Sequence, residues 1–445
     1  MKTKFKKFIA LGLCALMIFS SCAKKTGSGG DDNSGKEVTS EGLKAEIVVQ
    51  VEKDWMDYYK KAVDKVLEKN PDSKIELKEI GSFDHLDILK STDATNPDFA
   101  DVFALPLDRF TDLVSQDVLG AMDAPSMAKQ IGGYDDFDKS LGGFFKVDND
   151  YLGFPYNIET LITYVNKANA EKAGIDIEKP IEINDIKDPA NVLLPFFDAW
   201  FGVAATNSAN LSLLKEDNGK FISDLTKDFK DLDKDQQKLF ESLFEYWKKH
   251  NEANSPIFSG EDEGWAYIGD EFKTGGNGVI RLGGPWEIND NIEKAGDDLM
   301  IYPINHLTIN SKPLSHWQGG WAMAINARIE ADKDKKALAE NFIIELLRPE
   351  NAEELFKATG KILPNVSAEE YDKTNLSDTD KTVIKNVIES YNISEPRPIF
   401  KEYGKVWDTW KNAILSWNNV KPTSAEDAYK ELQASFNSMM ENIGN

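Results

Sequence analysis

Apolar and polar positions along this chain follow two rhythms, one of period two or continuous, the other helical. Ile47–Val51 is a short β-branched run, continuous enough for a strand buried on both faces. Asp54 follows in N-cap position, and Trp55, Tyr59, Ala62, Val63, Val66 and Leu67 then recur at helical spacing on an otherwise charged surface. Asn70-Pro71-Asp72 ends that helix, because proline has no amide to donate and disfavours helical geometry just before it. A second strand begins near Lys74 with Ile75 and Leu77, a short helix surrounds His85, and Asp101–Leu105 supplies a third strand. Strand, helix and strand at this spacing predict a right-handed βαβ unit in a mostly parallel sheet.

Further along, Tyr151–Tyr156 and Leu161–Asn166 are strand-like, with Asn157–Thr160 crossing between them. Residues 192–204 and 237–249 have helical period, and Gly278–Leu282 and Trp321–Ile325 are buried strands. Lys336–Leu347 and Val406–Trp417 are amphipathic helices, the second through Trp407, Trp410, Ala413, Ile414 and Trp417. Such alternation over a 445-residue chain suits two α/β lobes better than one very large sheet.

The first residues break this pattern. Lys2, Lys4, Lys6 and Lys7 precede the apolar run Phe8–Phe19, which is too short to span a bilayer core of roughly 30 Å. Ser20 and Ser21 then lead to Cys22, as at a signal-peptidase site. The arrangement resembles a bacterial lipobox, with Phe19 where that pattern favours Leu. The resemblance implies a lipoprotein signal peptide over 1–21, and Cys22 as the lipidated (diacylglyceryl- and palmitate-bearing) N-terminus. Residues 22–43 then read as the lipidated Cys plus a Gly/Ser/Asp/Lys-rich flexible tether. An ordinary signal peptide with a chance cysteine is the alternative. The expected location is the outer face of the cell membrane, held through the lipid anchor only.

Charge narrows the partners. The 52 Lys and Arg against 76 Asp and Glu leave −24, or −28 once the four N-terminal lysines are removed. A polyanion repels phosphate, so no nucleic-acid partner is expected. The two cysteines, Cys14 and Cys22, both lie at the N-terminus, so the body relies on packing, not disulfides. His85, His250, His306 and His316 show no ligand spacing, and no metal or cofactor is expected. Asp231–Asp235 lacks the glycine and glutamate of a calcium loop and reads as a turn capping the next helix. Gly275-Gly276-Asn277-Gly278 precedes a strand, unlike a phosphate loop. No nucleophile motif is present. Tryptophan is the informative residue: there are ten, and Trp55, Trp286, Trp317 and Trp407 sit where the chain turns or helices begin. Aromatic planes stack on the C–H faces of sugars, whereas sugar hydroxyls call for Asp, Glu and Arg.

Four segments in order give the chain a wider resemblance. They are Asn96–Val102 with Asp108-Arg109-Phe110, Gly153–Leu161 with Tyr164–Lys167, Gly284-Pro285-Trp286, and Val406-Trp407. With gaps, from about Glu46 to the C-terminus, the chain resembles the maltose-binding group of extracellular solute-binding proteins, the receptors of ABC sugar importers. The resemblance implies a periplasmic-binding-protein-like α/β fold, two lobes with mostly parallel sheets joined by a multi-crossing hinge. The N-terminal lobe would comprise 44–157 and 312–365, the C-terminal lobe 158–311 and 366–445. It further implies that Asp108, Arg109 and Glu159 read sugar hydroxyls and that Trp286 and Trp407 stack on sugar rings. Phe196 or Phe197 falls near a stacking tyrosine, and Lys53 and Asp54 near a charged pair beside Trp55. Leu105 stands where the maltose receptor carries a stacking tryptophan, so that platform is missing or supplied by Trp55 or Trp317.

The expected function is a monomeric, lipid-anchored receptor, not an enzyme. It would close on an oligosaccharide, a malto-oligosaccharide by first choice, and deliver it to ABC permease subunits. A secreted glycosidase using a carboxylate pair, and a surface glycan-capture lipoprotein without a permease, are the competing readings.

Overall fold

A computed structural model describes residues 41–443. The signal segment, Cys22 and nearly all of the tether lie outside the described residues. Two mixed sheets carry the architecture. In the first, Glu46–Val51 pairs in parallel with Lys74–Glu79 and with Val102–Pro106. The helix Met56–Lys69 connects the first two strands, burying Tyr59, Ala62, Val63 and Val66 against them. It ends at Asn70, whose side chain is buried: its amide donates to the Val66 carbonyl (3.0 Å), and its oxygen accepts from the Leu43 amide (3.0 Å).

The long strand Trp317–Asn326 closes this sheet from the other direction. It runs antiparallel to Val102–Pro106 and to Phe154–Glu159, with an irregularity between Trp321 and Ala322. Both sheets are therefore mixed, where the sequence pattern suggests mostly parallel pairing. The alternation identifies strands, but their direction is set by long-range connections that local spacing does not encode. The second sheet has the order Val192–Leu193, Ile280–Gly283, Ile162–Asn166, Leu299–Pro303. Only its first pair is parallel.

Between Glu159 and Ile162 the chain passes from the first sheet to the second, three residues later than the alternation suggests. Two other passages come back beside it. The Thr160 hydroxyl lies 3.5 Å from His316 Nδ1 and 3.4 Å from Ser394 Oγ, so three crossing segments meet at one buried polar point. His316 Nε2–H donates to the Trp200 carbonyl at 2.7 Å, and burial pushes this imidazole down to about 3, keeping it neutral. Next to this point Gly320 approaches the opposite strand so closely that a Cβ would sit 2.3 Å from the Asn157 carbonyl oxygen.

Helix spacing translates well where capping residues mark the ends. Asp233 caps Lys234–Glu252 through a reciprocal box with Gln236, so the aspartate-rich segment is a turn and helix start. Residues 192–204 divide instead into the strand Val192–Leu193, a loop, and the helix Ala199–Ser208 capped by Asp198. In the helix Gly404–Val420 the tryptophan stripe is mostly core: Trp410 donates to the Phe196 carbonyl (2.8 Å) and Trp417 to the Ala428 carbonyl (3.0 Å). Among the described residues no helix is long and apolar enough to cross a membrane.

Candidate functional site

A cleft of about 700 Å³ opens between the ends of the two sheets, within the roughly 300–1,000 Å³ of small-molecule sites. Five tryptophans line it: Trp55, Trp200, Trp286, Trp321 and Trp407. From the first sheet's side come Glu52 and Trp55 at the end of Glu46–Val51, Phe83 from the helix Ser82–Asp87, and Pro106 and Asp108 after Val102–Pro106. Trp321 enters from Trp317–Asn326, opposite Pro106. From the second side come Asp198 and Trp200, Trp286, and Trp407. Loops beyond strand ends, where two sheets face each other, are the usual ligand position in open α/β proteins.

Local contacts fix the turn that holds Trp286. The Gly284 amide donates to Glu287 (2.9 Å), the Gly284 carbonyl accepts from the Tyr164 hydroxyl (2.8 Å), and Arg281 pairs with Glu287. A Cβ on residue 284 would lie 2.2 Å from the indole, so glycine lets the ring fold back over its own backbone. The result is a large apolar ring left 50% exposed, with Phe83 on the first side 52% exposed.

Deeper in, the aromatic planes alternate with charge. The Trp321 indole N–H donates to Glu159 Oε2 at 3.1 Å. Burial holds the Glu159 carboxyl above its usual range, opposed by nearby Lys361 and Arg397. Lys361 Nζ lies over Trp321 at 4.3 Å, and over Trp55 and Tyr156 at 5.1 Å each. The Arg397 guanidinium lies over Trp200 (4.8 Å), Trp407 (5.4 Å) and Trp317 (5.9 Å), with Asp108 at 3.9 Å. Asp198 caps the helix at Trp200, its carboxyl raised by burial, while Glu52 accepts from the Ser82 hydroxyl at 2.7 Å. Those two carboxylates hold the framework; Asp108 and Glu159 line the same cleft.

Of the positions singled out in the sequence, the structure brings Trp55, Asp108, Glu159, Trp286 and Trp407 to this cleft. Arg109 lies one position along the helix Leu107–Ser115 and turns into a neighbouring groove with Asp112, Lys401 and Glu402. Asp54 and Lys53 are solvent-exposed on the short turn before Trp55, and Glu52 takes the place facing the cleft. Phe197 is fully buried against Phe258 and Trp265, and Phe196 packs on Tyr246, because helix Ala199–Ser208 begins later than its apolar pattern implies. Trp317 stands behind the wall, edge-on to Trp407 and Trp200. Leu105 is buried in its strand beside Ala322. Trp55 and Trp321 are the tryptophans lining the first sheet's side of the cleft. Sequence reasoning passed over Trp200, Trp321, Phe83, Lys361 and Arg397. The last two carried a usable signal: each is a lone cation in an apolar or proline-bounded stretch, Gly360-Lys361-Ile362-Leu363 and Pro396-Arg397-Pro398.

Comparisons with known proteins agree on the architecture. The profile of the family described as bacterial extracellular solute-binding protein matches residues 61–386. No curated protein sequence matches the chain. Among solved structures, the chain is similar to the maltose-binding periplasmic protein MalE from Listeria monocytogenes in complex with maltose, with 22% identity and TM-score 0.65 over 89% of this chain and 98% of that one. It is similar to MalX from Streptococcus pneumoniae in complex with maltopentaose, with 20% identity and TM-score 0.64 over 88% and 99%. A cyclo/maltodextrin-binding protein complexed with maltotetraose gives 18% identity and TM-score 0.65 over 90% and 98%.

Proposed function

The chain belongs to the bacterial extracellular solute-binding proteins, a family of binding proteins and not of enzymes, and from that premise we propose that it is an oligosaccharide receptor of an ABC importer. The observation that carries this reading is the cleft itself: five tryptophans interleaved with Asp108, Glu159, Lys361 and Arg397 in one space. Indole faces suit the C–H faces of pyranose rings, and buried charged groups suit ring hydroxyls. That the structures it is similar to hold maltose, maltotetraose and maltopentaose supports an α-glucan as the first ligand to test.

In this reading Trp286 and Trp407 stack on sugar rings, and Asp108 and Glu159 accept from hydroxyls. The lobes are 44–157 with 312–365, and 158–311 with 366–445. Supporting this division, Glu46–Val51, Lys74–Glu79, Val102–Pro106 and Trp317–Asn326 share one sheet, and Ile162–Asn166, Ile280–Gly283 and Leu299–Pro303 the other. Ligand would favour the closed arrangement through contacts that both lobes make only when the cleft is shut. The Thr160–His316–Ser394 cluster lies where such a hinge would bend. The receptor acts as a monomer outside the cell, lipidated at Cys22, and hands its sugar to permease subunits.

Tryptophan emission is the natural test, since five indoles line the cleft. Titration with di- to hexasaccharides of α-1,4-glucose should shift the emission saturably in the micromolar range. A spectrum unmoved by every saccharide contradicts the reading. For the anchor, Cys22→Ala should release the protein from the membrane fraction; equal retention of the variant contradicts lipidation.

A further inference from the structure

Buried cations in folded proteins are ordinarily paired and hydrogen-bonded, because desolvating a charge without compensation is costly. Two cations in this cleft depart from that rule. Lys361 is 9% exposed and Arg397 6% exposed. Among the described residues, Lys361 Nζ donates no hydrogen bond and has no carboxylate within ion-pairing distance; its surroundings are the faces of Trp321, Trp55 and Tyr156. The Arg397 side chain donates no hydrogen bond either, and its one ionic contact is Asp108 at 3.9 Å. Rings hold both charges in place electrostatically while leaving the N–H groups unspent. An ammonium offers three donors and a guanidinium five, and both side chains line the cleft.

Resting on the sugar-receptor reading, we propose that Lys361 and Arg397 are its specificity-determining donors, reading acceptor oxygens of a neutral saccharide from inside their aromatic boxes. Neutrality follows from the balance of charge. Glu52, Asp108, Glu159 and Asp198 line the cleft together with Lys361 and Arg397, so carboxylates already outnumber the cations. A ligand carboxylate would add to that excess of negative charge, whereas hydroxyl and ring oxygens accept from the cations and hydroxyls donate to the carboxylates. The cleft is thus divided by task. Phe83 and Trp286 offer open faces at the rim for stacking, and the boxed cations read oxygen positions in the interior.

Lys361 gives this inference a signature that a purely structural lysine would lack. Burial pushes its ammonium down to about 8, opposed by Glu159 and Glu52, while Tyr156 beside it stays protonated because burial raises its phenol. A ligand that accepts from the ammonium stabilises the charged form. Binding near pH 8 should therefore take up a fraction of a proton, and affinity should fall as pH rises above 8.

Isothermal titration of the whole protein with maltotetraose at pH 8, in buffers of different ionisation enthalpy, measures that uptake. The expected results are proton uptake by the unaltered protein, none in Lys361→Met or Lys361→Gln, and affinity roughly tenfold or more weaker in those variants and in Arg397→Met. Melting curves of each variant, and the uptake of the unaltered protein by itself, separate a lost donor from a lost fold. Unchanged proton balance and affinity in folded Lys361 variants overturn the proposal, with the sugar reading left standing. Tighter binding of a matched uronic-acid oligosaccharide than of the neutral one overturns the neutral-ligand part. Absence of any saccharide binding by the unaltered protein overturns the sugar reading and this inference with it.

Discussion

Replacing Trp286 with alanine isolates the stacking contribution, because this ring does little for the fold. Half of it is exposed, so truncation leaves no sealed cavity. A Trp side chain covers up to roughly 250 Å² of surface, and the exposed half offers about 125 Å² to a ligand. At about 25 cal/mol per Å² that is near 3 kcal/mol if the whole exposed face is covered, and near 2 kcal/mol if two-thirds is covered. Trp286→Ala should therefore weaken oligosaccharide binding roughly 30- to 150-fold. The buried half of the ring sets an upper bound of about 3 kcal/mol on the stability lost, and relaxation of so open a site should keep the loss near 1 kcal/mol. Titration calorimetry gives the first quantity and urea unfolding the second. Unchanged affinity in a normally folded Trp286→Ala protein refutes the stacking argument. A large loss of stability refutes the claim that the ring is free for ligand.

Gly284→Ala probes the same ring without deleting it. Its backbone φ of −110° suits alanine, but the new Cβ meets the indole at 2.2 Å, so the ring must swing away; affinity should fall while the melting temperature moves little, and full affinity would contradict this account of the turn. Gly320→Ala places a methyl 2.3 Å from the Asn157 carbonyl oxygen beside the crossing segments and should cost about 1–3 kcal/mol in urea unfolding; an unchanged midpoint would show that the strands part easily. His85, His250 and His316 are held neutral by burial, pushed down to about 3, 4 and 3. The unfolded chain binds protons at these residues below about pH 6.5 and the folded chain does not, so their stabilisation is complete above pH 6.5. It is lost towards pH 4 at up to roughly 1.4 kcal/mol per pH unit for each histidine. Calorimetric melting between pH 7 and 4.5 measures this, and a flat profile contradicts it.

Strands such as Glu46–Val51 and helices such as Met56–Lys69 were legible because each is specified by its own burial pattern and end signals. The direction of Trp317–Asn326 was not, since antiparallel pairing with Val102–Pro106 joins residues more than 200 positions apart. The cleft was half legible for a similar reason. Trp286 follows two glycines and a proline, a local signature of a ring held out at a turn. Trp321 reads as one more residue of a buried strand, while its indole N–H donates to Glu159, 162 positions away along the chain. Phe197 shows the opposite error. A position near a functional one along the chain became core because a loop and a capped helix replaced the continuous helix that its apolar neighbours suggest. Lys361 and Arg397 lie in segments whose sequence shows a lone charge, while the rings that surround them come from distant elements.

Calorimetric titration of the purified protein with α-1,4-glucose oligosaccharides of two to six units addresses the central claim most directly. The account predicts one saturable site of micromolar affinity, filled by neutral saccharides, with no sugar cleaved during the experiment. A protein that gives no binding heat with any member of the series, or that shortens the chains it is given, contradicts the receptor assignment.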